Sequence, residues 1–149
     1  MTQFGYIDSQ ILQANQAAIL QNVRSCTSCP QMVIHENLTS NIILRGLVSR
    51  PCDSALYSVR FSGNIAVPTG GTAGEIQLAF YADGAVRPLT IGAATPAGVE
   101  EFWYVSGEDI ITVPIGCCPI IYVGNATTNQ APVEVRNLQV FVDRVMLGG

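Results

Sequence analysis

The chain has 149 residues, 48% of them hydrophobic and only 12% charged, with seven Arg, no Lys, eleven carboxylates and a formal net charge of -4. That length is one domain's worth, able to bury roughly 68–70% of the surface its unfolded form exposes. A pI near 4.7 without any lysine excludes a basic nucleic-acid-binding stripe and a catalytic lysine, and a mean hydropathy of +0.33 excludes a disordered chain.

Read from the N-terminus, the opening Met-Thr-Gln-Phe-Gly-Tyr-Ile-Asp has an acid where a secretory leader has basic residues, so no signal peptide is expected. The longest uncharged run, residues 9–23, is broken by Gln10, Gln13, Asn15, Gln16, Gln21 and Asn22, so no membrane span is expected either. Residues 8–23 carry helical spacing: Asp8 or Ser9 can cap, Phe4, Ile7, Ile11, Ala14 and Ala18 follow at three- and four-residue steps, and Leu12, Ile19 and Val23 form a second row. An uncharged helix this short needs a partner surface. The expectation is an N-terminal arm over residues 1–30, helical or extended, that docks onto other proteins through Ile7, Ile11, Leu12 and Ile19.

From Gln31 the period changes from 3.6 to 2. In residues 55–67, Ala55, Tyr57, Val59, Phe61, Ile65 and Val67 alternate with Ser58, Arg60, Ser62 and Asn64. Similar runs cover residues 32–36, 41–47, 75–82, 100–105, 110–115, 119–125 and 133–145, with turn signals at 68–74, 83–84, 95–98, 106–107 and 125–132. Val133 and Val135 have one parity and Leu138, Val140 and Val142 the other, which predicts a bulge near Arg136-Asn137. About eight short strands without interleaved helices predict an all-β antiparallel jelly-roll sandwich over residues 31–149. Its expected core is Tyr57, Val59, Phe61, Ile76, Leu78, Phe80, Trp103, Ile111, Val113, Ile121, Val123, Leu138, Val140 and Val142.

Catalytic chemistry is thinly represented, and no enzyme activity, catalytic residue or cofactor is expected. His35 is the single histidine and reads as a surface or structural residue. Adjacent Glu100 and Glu101 on a strand would face opposite sides, and Glu108-Asp109 reads as a turn. The Gly70–Gly74 segment lacks the Lys-Ser/Thr of a phosphate loop. Cys26 and Cys29 have the spacing of half a zinc site that Cys52, Cys117 and Cys118 could complete, but no metal is favoured: reduced thiols buried as small hydrophobes are the plain expectation, and disulfides from the Cys26/Cys29 segment to Cys52 or the Cys117 turn are the other alternative. Asn37-Leu-Thr39 and Asn125-Ala-Thr127 match the glycosylation pattern without a secretion signal to support it. Tyr81, Trp103, Tyr104 and Tyr122 are the aromatics available for a glycan contact.

Three stretches, FSGNIAVPTGGTAGEIQLAFYADG, VPIGCCPIIYVGN and VEVRNLQVFVDRV, resemble small structural proteins of phages and prophages of Firmicutes and other gut bacteria, of the head-fibre or decoration kind. These resemble jelly rolls of the tumour-necrosis-factor and complement globular-head type, a form also used by spore-surface proteins. The resemblance covers roughly the last 60% of the chain; relatives carry a further Cys where this chain has Ile115. It implies a homotrimer on a virion, assembled in the bacterial cytoplasm, with capsid or other virion proteins as partners. The alternative is a carbohydrate- or receptor-binding module on a tail fibre or spore surface.

Overall fold

The computed structural model describes residues 2–24, 32–46, 54–115 and 118–145. They form two six-stranded sheets, paired antiparallel throughout. The first runs β10 (Trp103–Pro114), β6 (Ser54–Ala66), β12 (Val133–Val145), β1 (Thr2–Tyr6), β3 (Gln21–Arg24), with β2 (Gln10–Leu12) also on β12. The second runs β4 (Val33–Ile34), β5 (Ile42–Leu44), β11 (Ile120–Asn125), β7 (Ile76–Ala82), β8 (Ala85–Val86), with β9 (Gly92–Ala94) on β7. The expected jelly-roll sandwich is the observed architecture.

Period-2 alternation sorts each strand's side chains into a buried and an outward set. Tyr57, Val59, Phe61 and Ile65 of β6 meet Leu78 and Phe80 of β7 and Ile121 and Val123 of β11 in one core, where the Phe61 and Phe80 rings sit edge to face at 5.3 Å. The bulge falls where the parity slip placed it. Pairing of β12 with β6 jumps between Arg136 and Gln139, and Asn137 takes a left-handed φ of 54°, so both halves of β12 point their valines inward. Among the described residues, no buried side-chain nitrogen or oxygen lacks a hydrogen-bond partner.

Three expectations need correction. No α-helix occurs at 8–23, or anywhere else among the described residues. Instead β1 lies between β12 and β3, β2 pairs Leu12 with Val133, and Ala17 and Leu20 form isolated bridges to Gly124 and Thr39 of the other sheet's side. The segment thus straps the two sheets together. A local helix of this length is marginal, and here non-local pairing supplies the backbone with partners while burying Phe4, Leu12, Ala18 and Leu20. The Gln10 amide replaces missing ladder bonds, donating to Ile19 O at 3.1 Å and accepting from Ile19 N at 3.0 Å.

Trp103, expected in the core, is 48% exposed at the end of β10. Ser106-Gly107, expected as a turn, lies inside β10, which pairs with β6 along its whole length from Trp103–Ile65 to Pro114–Ser54. Glycine is needed there for close packing, not for a reversal. Among the described residues, no helix is long and apolar enough to cross a membrane.

Candidate association surface

The long neighbouring strands β10, at the edge of the first sheet, β6 and β12 each bury one row of side chains against the second sheet and turn the other row outward. Arg60 is central to that outer face. It sits opposite Glu108 of β10 and opposite Phe141 of β12, and its guanidinium lies 4.7 Å from the centre of the Phe141 ring. Asp143, two residues beyond Phe141 and therefore on the same face, pairs with Ser58. Serines, Gln139 and Asn64 surround this cluster, and Tyr104, 69% exposed, ends the row on β10.

A shallow groove of about 500 Å³ crosses the face between Arg60, Ser62, Tyr104, Ser106, Phe141 and Leu89, the last being 81% exposed. A smaller recess of about 100 Å³ is bounded by Ser58, Arg60, Glu108, Phe141 and Asp143. The flank of β10 is closed by the turn at Pro88–Thr90. Arg87 donates to Asp109 Oδ2 from Nε at 3.0 Å and lies 2.9 Å from it through Nη2, which fastens that turn to the strand. The face therefore combines exposed apolar groups with uncharged polar ones and a compact charged centre.

The four aromatics considered for glycan contact are not brought together. Tyr81 and Tyr122 stack at 5.1 Å on the outward side of the second sheet, where the Tyr81 hydroxyl donates to Asn125 O at 3.2 Å. Burial, and secondarily the neighbouring Tyr122, push the Tyr81 hydroxyl above its ordinary pKa. Trp103 donates its indole N–H to Glu101 at 2.9 Å at one end of β10, while Tyr104 belongs to the open face of the first sheet. No common platform results.

Of the docking residues expected in the arm, Leu12 is a core residue, whereas Ile7, Ile11 and Ile19 are exposed. Cys26, Cys29, Cys52 and Cys117 lie outside the described residues, and Cys118 is exposed with a free thiol. His35 is a structural residue: Nδ1 shares a 2.6 Å hydrogen bond with Asn22 Oδ1, Nε2 shares one of 2.7 Å with Thr39 O, and the ring packs 4.7 Å from Phe4. Asn125 is buried, its amide donating to Leu12 O and Ala131 O, so its glycosylation pattern has no accessible acceptor. Glu100 and Glu101, expected on a strand, both precede β10; Glu100 has a left-handed φ of 57° and accepts from Thr69 N and Oγ1, both at 2.9 Å.

Sequence reasoning missed Arg60, Glu108, Phe141, Asp143 and Leu89. One signal was available: Arg60 is the lone charge on the outward parity of residues 55–67. Its meeting with Phe141 depends on the β12 register, which lies beyond any local pattern.

No family model matches the sequence, and no curated protein is detectably similar to it. Solved structures are similar in fold. The Eiger TNF of S. frugiperda superposes with a TM-score of 0.67 at 6% identity, covering 99% of this chain and 93% of that one. The globular domain of zebrafish complement 1qA matches with a TM-score of 0.57 at 11% identity, over 95% and 96% of the two chains. Murine APRIL matches at 0.54 and 11%, over 95% and 98%.

Proposed function

We propose that this chain, whose fold is shared with TNF and complement 1q domains, is a non-enzymatic structural module that works as a homotrimer through the open face of its first sheet. The observation that carries this reading is the face itself. Strands β10, β6 and β12, of 12, 13 and 13 residues, lie side by side. At ~3.3 Å per residue and ~4.8 Å between strands they present roughly 600 Å², the amount each partner contributes at the low end of specific interfaces. The low overall charge reduces the desolvation such contact costs.

The setting we propose is a phage virion, as a capsid decoration or head-fibre component, supported by the resemblance of the stretches quoted from residues 61–145. Exposed Ile7, Ile11 and Ile19 on the strap are then the groups that contact capsid or other virion proteins. Sedimentation equilibrium of the intact chain at micromolar concentration tests the assembly, and the expected mass is three times 15.9 kDa. Quantitative mass spectrometry of purified particles should find a fixed copy number. A monomer in solution overturns the trimer, and absence from particles overturns the setting.

A further inference from the structure

We infer that the Arg87–Asp109 ion pair guards the free edge of β10, holding Ile110 out of reach of strand addition by a second copy of the chain. The device belongs to a single copy and does not depend on the homotrimer reading. β10 ends the first sheet, and among the described residues no strand pairs with it on the side away from β6. At 12 residues, against four in β3 at the opposite edge, it is the longer template for an incoming strand. In an antiparallel strand, alternate residues direct both N–H and C=O to the same side. Ile110 shows which set faces the free edge: its N–H donates to Asp109 Oδ1 at 2.8 Å, and its carbonyl accepts from Arg87 Nη2 at 3.5 Å. Glu108 and Thr112 therefore face that edge too.

The rest of the edge is closed by other means. Towards the Trp103 end, Thr90 O lies on Gly107, and a Cβ on Gly92 of β9 would fall 2.9 Å from Val105 Cβ and 3.2 Å from Ser106 O. Towards the other end, Pro114 has no N–H to offer. Glu108, Ile110 and Thr112 form the run between these two covers, and the ion pair takes the middle member. With Ile110 engaged, no two successive edge-facing residues between Gly107 and Pro114 are open; without the pair, all three are. The partner such a run fits is the same run of a second copy. A two-fold antiparallel pairing centred on Ile110 sets Ile110 against Ile110 and Glu108 against Thr112, so no like charges meet. The pair is firmly held, since the Asp109 side chain is only 13% exposed and Arg87 reaches it through both Nε at 3.0 Å and Nη2 at 2.9 Å.

The test compares the full-length wild type with Asp109→Ala and Asp109→Ala/Ile110→Pro by sedimentation velocity at neutral pH, with circular dichroism reporting folding. Asp109→Ala removes both the acceptor of the Ile110 N–H and the anchor of Arg87. It should form species heavier than the wild type's own state, with self-association tightened by about tenfold or more. Ile110→Pro takes away the freed N–H without costing a bond to β6, and should return the mass to that of the wild type. Because the reference is the wild type's own mass, the result reads the edge whether that mass is a trimer's or a monomer's. Hydrogen exchange of the wild type needs no variant to fold: the Ile110 amide should exchange about tenfold or more slowly than that of Thr112, which faces the same edge unguarded. An Asp109→Ala protein of unchanged mass, a heavier species that persists with Ile110→Pro, or equal exchange at Ile110 and Thr112 would overturn the inference.

Discussion

Gly107 of β10 lies directly beneath the carbonyl of Thr90, so closely that no side chain fits between them; a Cβ there would also fall 2.7 Å from the Phe61 ring. Thr90 is itself buried and fixed, its hydroxyl accepting from Phe80 N at 2.9 Å and donating to Arg87 O at 2.7 Å. The turn at Pro88–Thr90 is thereby stitched to both β7 and β10. Gly107→Ala should therefore destabilise the fold by about 3 kcal/mol, the upper part of the range for overpacking, because backbone and an aromatic ring must both give way. Urea denaturation checks this, and a change below about 0.5 kcal/mol would show that the turn is free to lift off.

Leu12 and Ile7 separate the strap's structural role from its surface role. Leu12→Ala, which empties a fully buried site, should cost about 2–5 kcal/mol, whereas Ile7→Ala at a 77% exposed position should stay within about 0.5 kcal/mol. Equal effects in thermal melts would contradict the placement of residues 10–24 across the two sheets. A chain begun at Gln31, which lacks β1, β2 and β3, should fail to give a cooperative unfolding transition, since β12 would keep β6 on one side but lose β1 along residues 138–142 and β2 along residues 133–135 on the other.

Tyr57 carries one hydroxyl between two carbonyls, Arg45 O at 2.6 Å and Met32 O at 3.0 Å, at the base of a fully buried ring. Burial raises its pKa above the ordinary 10, against the lowering influence of Arg144. Tyr57→Phe should cost about 1–3 kcal/mol by leaving those carbonyls short of a donor. Chemical denaturation that gives no change would place the hydroxyl's contribution at zero.

Glu134 and Glu100 share a hydrogen bond between β12 and the turn before β10. Burial, then this bond to Glu100, raise Glu134 above the ordinary 4.5; the Thr69 hydroxyl, then the bond to Glu134, lower Glu100 below it. For Glu134 the stabilising contribution is complete below its unfolded pKa and is lost as pH rises through the raised folded value. For Glu100 it is present above the ordinary value and lost as pH falls through the depressed one. The shared proton thus favours mildly acidic solution. Between pH 4.5 and 7 the wild type should lose more stability than Glu134→Gln, read from urea midpoints at several pH values; parallel profiles would refute the linkage.

Alternation along residues 55–67 and the parity slip at Arg136-Asn137 were enough to place the sandwich core and its bulge, because a side-chain period of two is written into neighbouring residues. Thirteen of the fourteen expected core residues are buried; Trp103 is not, since it sits at a strand end where the second sheet no longer covers it. Residues 8–23 show why local spacing misleads. Their apolar rows fit a helix, yet the same residues are held by non-local pairing: residues 10–12 with 133–135 and residues 15–18 with 123–125, roughly a hundred positions away, and residues 20–22 with Thr39 and β1. Gly107 shows the same limit at one residue: a turn signal in the sequence is a packing contact with Thr90 in the fold. The outward face of the first sheet follows this rule too. Its outward residues were visible as the polar half of each strand, but only the pairing register decides that Arg60, Glu108, Phe141 and Asp143 meet, because register is set by long-range strand pairing and not by any neighbour in the chain.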